Sequence, residues 1–114
     1  MEILYESKKL EKLVNNKAKL AKEHGMIIAK AFYKRLDQLK ALKLLFNLMG
    51  SGLDHPHLLK GDFANCIGWD IDANKRMILK IPPTMSTFDA MQSEEIILKG
   101  VVDYHGDKTN WYLT

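Results

Sequence analysis

Near the C-terminus, the run Val101-Val102-Asp103-Tyr104-His105 closes an apolar stretch with an acid, a phenol and an imidazole. If this run is a strand, Asp103 and His105 project from one face and Tyr104 from the other. A carboxylate beside an imidazole can fix its tautomer and raise its basicity, and histidine's unperturbed pKa of about 6.5 suits proton transfer. Asp103 and His105 are therefore a candidate general acid–base pair. Two further imidazoles stand in His55-Pro56-His57, with no obvious third ligand beside them, so no metal site is expected. Cys66 is the only cysteine, which leaves no internal disulfide and no cysteine-based zinc cluster, and it reads as a small buried strand residue.

The elements that would position these groups follow from periodicity. Residues 2 to 6 suit a short strand, and Ser7 is a suitable N-cap for a helix running to Gly25. Leu10, Leu13, Val14, Ala18, Leu20 and Ala21 recur at helical spacing, and Lys8, Lys12 and Lys19 gather on the opposite side. Lys17 falls inside the apolar arc and must snorkel or pair. A second helix is expected from about Met26 to about Lys40, burying Ile28, Ala31, Phe32, Leu36 and Leu39 and exposing Lys30, Lys34 and Asp37. Arg35 lies in that apolar arc and calls for an acidic partner or a place at the edge of the core. Residues 41 to 49 read as a continuation or a third helix, ended by Gly50-Ser51-Gly52.

From Leu53 the helical period gives way to alternation. Ile67, Trp69 and Ile71 share one face of a strand, and Asp72-Ala73-Asn74-Lys75 suits a hairpin turn. Met77, Leu79 and Ile81 then alternate with Arg76, Ile78 and Lys80. Pro82-Pro83 stops that strand, Thr84 to Ser93 reads as a loop, and Glu95 to His105 is the last long strand. The order predicts a single α+β domain: two or three N-terminal helices on one face of a curved, mainly antiparallel sheet. The free face is expected to carry Arg76, Lys80, Asp103 and His105. Trp69, Trp111 and Tyr112 read as core aromatics.

The chain has 114 residues, enough for one core, and its net charge is +3. That total hides an asymmetry. Residues 8 to 43 carry eleven Lys or Arg against three acids, while the remainder is acidic by five. A basic helical surface facing a polyanion, or simply solvated lysines, would account for it. No apolar run approaches the ~20 residues that span a bilayer, and the basic-then-apolar layout of a signal peptide is missing, so a cytosolic protein with no membrane contact is expected.

Taken together, His57-Leu58-Leu59-Lys60-Gly61-Asp62, the aromatic strand with Trp69, the strand opening on Arg76 and the terminal Asp103-Tyr104-His105 resemble the HigB-type toxins of the RelE/ParE superfamily. The resemblance runs from Tyr5 to His105. It implies a RelE-like fold and a small endoribonuclease that enters the ribosome and cuts mRNA there without a cofactor. It further implies a HigA-like helix-turn-helix antitoxin, with operator DNA bound only through the toxin–antitoxin complex. In that family the positions matching His57, Asp103, Tyr104 and His105 are implicated in activity, and the Lys60 and Arg76 positions are carried over with them. The family's His-Pro pair aligns on either His55 or His57, and counting back from Lys60-Gly61 selects His57. Residues 106 to 114 extend past the usual family end and are open to being another strand.

For such an enzyme the simplest route is attack of the ribose 2′-OH on its adjacent phosphate, giving a 2′,3′-cyclic phosphate and a 5′-OH. His105, held by Asp103, and His57 would share the proton transfers, while Lys60, Arg76 and Lys80 would meet phosphate oxygens. Tyr104 would stack on a base or bond to the backbone. Lys8, Lys12, Lys19, Lys30 and Lys34 would face ribosomal RNA. Two other readings stay open: a ParE-like toxin directed at DNA gyrase, and a non-enzymatic RNA-binding regulator.

Overall fold

The computed structural model describes residues 1–50, 56–81, 86–105 and 108–114, the side chains of Thr87 and His105 apart. His55, one of the two aligned histidines, and the Pro82-Pro83 stop lie outside these residues. In chain order the elements are β1 (Glu2–Tyr5), α1 (Lys8–Val14), α2 (Lys17–His24), α3 (Met26–Ala41), α4 (Leu45–Met49), β2 (His57–Leu58), a 3-10 turn (Gly61–Phe63), β3 (Cys66–Asp70), β4 (Lys75–Lys80), α5 (Thr87–Met91), β5 (Glu95–His105) and β6 (Lys108–Leu113). The sheet runs β1-β5-β4-β3-β2, with β6 also pairing β5. Only β1 runs parallel to its neighbour; the other described pairings are antiparallel. The α+β architecture expected from the sequence is therefore present, with β6 as the further strand.

One apolar period was expected to make one helix from Ser7 to Gly25, and it makes two. Ser7 caps α1, its Oγ accepting from Leu10 N at 3.1 Å. Asn16 then caps α2, its Oδ1 accepting from Lys19 N at 3.1 Å. A side chain that satisfies orphan amides can restart a helix at a new phase. The new phase leaves Ala18 exposed and buries Leu20. The Tyr33 hydroxyl donates to the Val14 carbonyl at 2.6 Å and ties the junction to α3. Asn16→Ala should therefore lower stability by about 1 kcal/mol, read as a shift in a denaturant midpoint, with little change in helix content.

The helices cover one face of the sheet. Phe32, Leu36 and Leu39 of α3 meet Trp69, Leu79 and Leu98 in a core whose members are almost fully enclosed. Burying side chains of this size stabilises by roughly 1.5–3 kcal/mol each before entropy is counted. Arg35 sits at the core's edge, as one of its two expected placements had it. Its Nε donates to the Asp70 carbonyl at 3.0 Å, and its guanidinium lies 5.5 Å from the Trp69 ring. Lys17 is exposed, its ammonium 5.0 Å from the Tyr33 ring. The expected loop from Thr84 to Ser93 contains α5 instead: Ser86 Oγ accepts from Asp89 N at 3.2 Å, and Ala90 is enclosed in the core.

The hairpin turn is built as its residues suggest. Asp72 Oδ1 accepts from the amides of Asn74 and Lys75, both at 2.8 Å, the local bonding that favours Asp in turns. This fixes the β3–β4 register, in which Asp70 faces Arg76 and Gly68 faces Ile78.

Candidate functional site

The second face of the sheet is only partly open. Cys66, Ile78 and Val102 form a small cluster there, packed beneath Leu59 and Phe63 from the segment after β2. Burial pushes the Cys66 thiol up from its ordinary pKa, outweighing the opposing pull of Lys99 and Lys80. Cys66 is buried, as its sequence position suggested.

Register then sorts the candidate residues. Arg76 is opposite Val102, and Lys75 is opposite Asp103. Val101 belongs to the helix-side core and Val102 to the outer cluster. By alternation Tyr104 shares the outer face with Arg76, and Asp103 stands on the helix side. This corrects the expectation that Asp103 would join Arg76 and Lys80 on the free face. The cause is a shift of register in the β4–β5 pairing: Leu79 faces Leu98 but Ile78 faces Gly100, so β5 carries Lys99 as an extra residue. His105 ends β5 at the position opposite Lys108, and its side chain is outside the description.

What gathers on the outer face is a cluster of Asp70, Arg76 and Tyr104. Arg76 Nε donates to Asp70 Oδ1 at 3.1 Å. The Arg76 guanidinium lies 4.6 Å from the centroid of the Tyr104 ring, and the Tyr104 hydroxyl reaches the same Asp70 oxygen at 3.4 Å. A carboxylate and an aromatic face thus hold one cation in a fixed plane. The backbone adds to this: Tyr104 N donates to the Asn74 carbonyl of the hairpin at 2.9 Å. Beside the cluster lies a cleft of about 60 Å³ lined by Leu59, Phe63, Arg76, Ile78, Val102, Tyr104 and Thr109.

Gly68 makes room for this arrangement. A Cβ built on it would stand 2.5 Å from Arg76 Cδ, so the arginine stem occupies the place where a side chain would be. His57 is the cross-strand partner of Gly68, which sets its Cβ ~5 Å from that space. The structure therefore brings His57, Arg76 and Tyr104 to one face and adds Asp70 to them. Lys80 shares that face but lies farther along β4, its ammonium 3.5 Å from Glu6. Lys60 is exposed just before the 3-10 turn. Among the described residues, no group of three or more His, Cys, Asp or Glu side chains comes together as metal ligands would.

On the opposite layer, Lys8, Lys12, Lys19, Lys30 and Lys34 are all exposed. They form more than one surface: Lys12 and Lys19 line a groove with Lys9, whereas Lys30 lines another with Lys17 and Tyr33. Lys19 also lies 4.0 Å from Glu23.

Asp70 and Gly68 were not picked out from the sequence. Asp70 could have been found from the hairpin, because the turn at 72–75 sets it directly opposite Arg76. Gly68 carries a weaker signal, a glycine inside an otherwise apolar strand, which often marks close approach of another group.

No protein-family profile and no curated protein sequence matches this chain. Two solved structures do. One is the YoeB-YefM complex from Staphylococcus aureus, with a TM-score of 0.54 and 14% identity over 93% of this chain and 98% of that one. The other is the YoeB/ParE toxin from Agrobacterium tumefaciens, also at 0.54 and 14%, covering 93% of this chain and 100% of that one. At that identity the likeness is one of fold, and it extends over nearly the whole of both chains.

Proposed function

We propose that this chain, which shares the fold of the YoeB and ParE toxins, is the toxin of a type II toxin–antitoxin pair acting in the cytoplasm as a ribosome-dependent mRNA endonuclease. The observation that carries the reading is the arginine clamped between a carboxylate and a tyrosine ring on the sheet face that also bears His57. Phosphoryl transfer from a ribose needs a cation where negative charge develops, and a guanidinium already held in position supplies it without reorganisation. Asp70 takes the Nε of Arg76, and the two terminal nitrogens of the fork suit phosphate oxygens.

In the proposed reaction the 2′-OH gives its proton to one imidazole as its oxygen attacks phosphorus. The P–O5′ bond breaks, and the leaving oxygen takes a proton from the other imidazole. His57 fills one of these roles beside Arg76. For the other, His105 has to reach the same face around the end of β5, a terminus that Asp103 positions from the helix side, and Tyr104 holds Arg76 while offering its ring edge to the substrate. Lys60 and Lys80 meet neighbouring phosphates, and the exposed lysines of α1 to α3 meet ribosomal RNA. The ribosome contributes by holding mRNA in a reactive geometry that a shallow site with few groups cannot impose. A HigA-like helix-turn-helix antitoxin is the proposed partner, carrying the complex to operator DNA.

Gly68→Ala tests the clamp. The added methyl would meet the Arg76 stem at 2.5 Å and Leu59 Cδ2 at 3.0 Å, side-chain atoms rather than backbone, so stability should fall by about 1–3 kcal/mol with the fold kept. Cutting should fall ~10-fold or more because Arg76 is misplaced. Equal cutting by wild type and Gly68→Ala would remove Arg76 from the reaction.

The direct assay uses purified protein, ribosomes and a defined mRNA. Cuts that need ribosomes, leave 5′-OH ends and vanish in His57→Ala and His105→Ala support the reading. A second reading is favoured by the equal likeness to a structure described as YoeB/ParE: a gyrase-directed toxin. Inhibition of DNA supercoiling with intact mRNA would establish that one instead.

A further inference from the structure

The two tryptophans of this chain have opposite environments. Trp69 is 1% exposed in the core, whereas Trp111 is 42% exposed on β6, contrary to its reading as a core aromatic. The Trp111 indole is nonetheless fixed. Phe63 meets it edge to face, ring centroids 5.7 Å apart and planes at 80°. Beneath it, a Cβ on Gly100 would come within 3.0 Å of Trp111 Cζ3. The indole rests on bare backbone at the register shift in β5.

Its position relates it to the cluster described above. Trp111 is opposite Val102 and Thr109 is opposite Tyr104, so Trp111 and Tyr104 are diagonal neighbours on the outer face, ~7–8 Å apart. The cleft beside Arg76 is lined by Tyr104, Phe63 and Leu59, and Phe63 in turn carries the Trp111 ring. Arg76 and Trp111 flank Val102 on the same face, two strand spacings or ~10 Å apart. A held indole at that distance from a held guanidinium suits a base and a phosphate of one strand, the combination by which proteins bind single strands. Arg76 and the exposed Lys60, which leads into the Phe63 turn, suit a polyanion better than an apolar peptide.

We infer that Trp111, braced by Phe63 and Gly100, is the stacking platform for one nucleobase of the RNA strand whose phosphate meets Arg76. The inference rests on the endonuclease reading and adds a specificity-determining residue to it, on a strand outside the acid–base groups.

The probe is a short single-stranded RNA, 2′-O-methylated throughout so that the proposed attack cannot occur, titrated into the full chain. With Trp69 enclosed, quenching of tryptophan emission reports on Trp111. We expect saturable quenching in the wild type, about tenfold weaker binding of the labelled probe by Trp111→Ala, and near-complete rescue in Trp111→Tyr, which keeps a stacking ring. Thermal melts of both variants verify folding. Unchanged binding by a folded Trp111→Ala, or no binding by wild type, overturns the inference. So does loss of antitoxin binding alone, which would make the indole a protein contact. Mapping cut mRNA ends in cells separates the two levels. Wild-type cuts with the same base distribution in Trp111→Ala leave the endonuclease reading standing and remove the platform; absence of wild-type cuts removes both.

Discussion

Arg76→Ala should lower ribosome-dependent mRNA cutting by about 100-fold or more while the protein stays folded, because one preorganised donor to a developing oxyanion is typically worth that much. The folded state loses little by the change. Arg76 and Asp70 are each about a quarter exposed, at 25% and 24%, and pairs with such access to water contribute roughly 1 kcal/mol or less. Asp70 also keeps the Tyr104 hydroxyl as a donor. Arg76→Lys should recover only part of the activity, since an ammonium cannot bond to Asp70 through Nε and present a planar fork to phosphate at once. Single-turnover cutting rates beside denaturant midpoints for the three proteins test this. Near-normal cutting by Arg76→Ala would show that the clamped cation takes no part in the chemistry.

The largest expected effect on stability belongs to Trp69→Ala. Trp69 lies on β3, with β2 and β4 as its neighbours, opposite Met77, and 1% of it is exposed. Its ring meets the helix-side core, and the Arg35 guanidinium lies over it. Truncation removes the transfer energy of a large aromatic and leaves a cavity that a sheet between fixed neighbours cannot close, costing about 3–5 kcal/mol. A loss of that size in a domain of this length lowers the melting midpoint by more than ~10 °C. Trp111→Ala should cost far less, since its indole is already part-solvated. Parallel melts of the two variants check the contrast, and equal losses would mean that the outer cluster is as deeply packed as the core.

These expectations draw on different levels of legibility in the sequence. Alternation placed Ile67, Trp69, Met77 and Leu79 on the helix side correctly, because in β3 and β4 an apolar row and a mixed row are distinct. Strand β5 has no such contrast. Val101 and Val102 are both apolar and both buried, one in each cluster, and the extra residue at Lys99 reverses the faces beyond it. Sequence therefore showed that Tyr104 opposes Asp103, but not which of the two joins Arg76. The break at Asn16 was hidden for a related reason. Leu10 to Ala21 fits one helical period well enough, and only the cap hydrogen bond reveals a second start. Asp70 and Gly68 act through register, and register is a property of paired strands that a single chain segment does not display.

The chain's likeness to known toxins is a matter of fold, so the decisive measurement is of the reaction. A brief pulse of expression in a bacterial host, followed by genome-wide mapping of new 5′-OH ends on mRNA, would be made for wild type and for Arg76→Ala. Ends in phase with codons in wild type and nearly absent in Arg76→Ala are the predicted result. Growth arrest by wild type with no new mRNA ends would contradict the account and point to gyrase as the target.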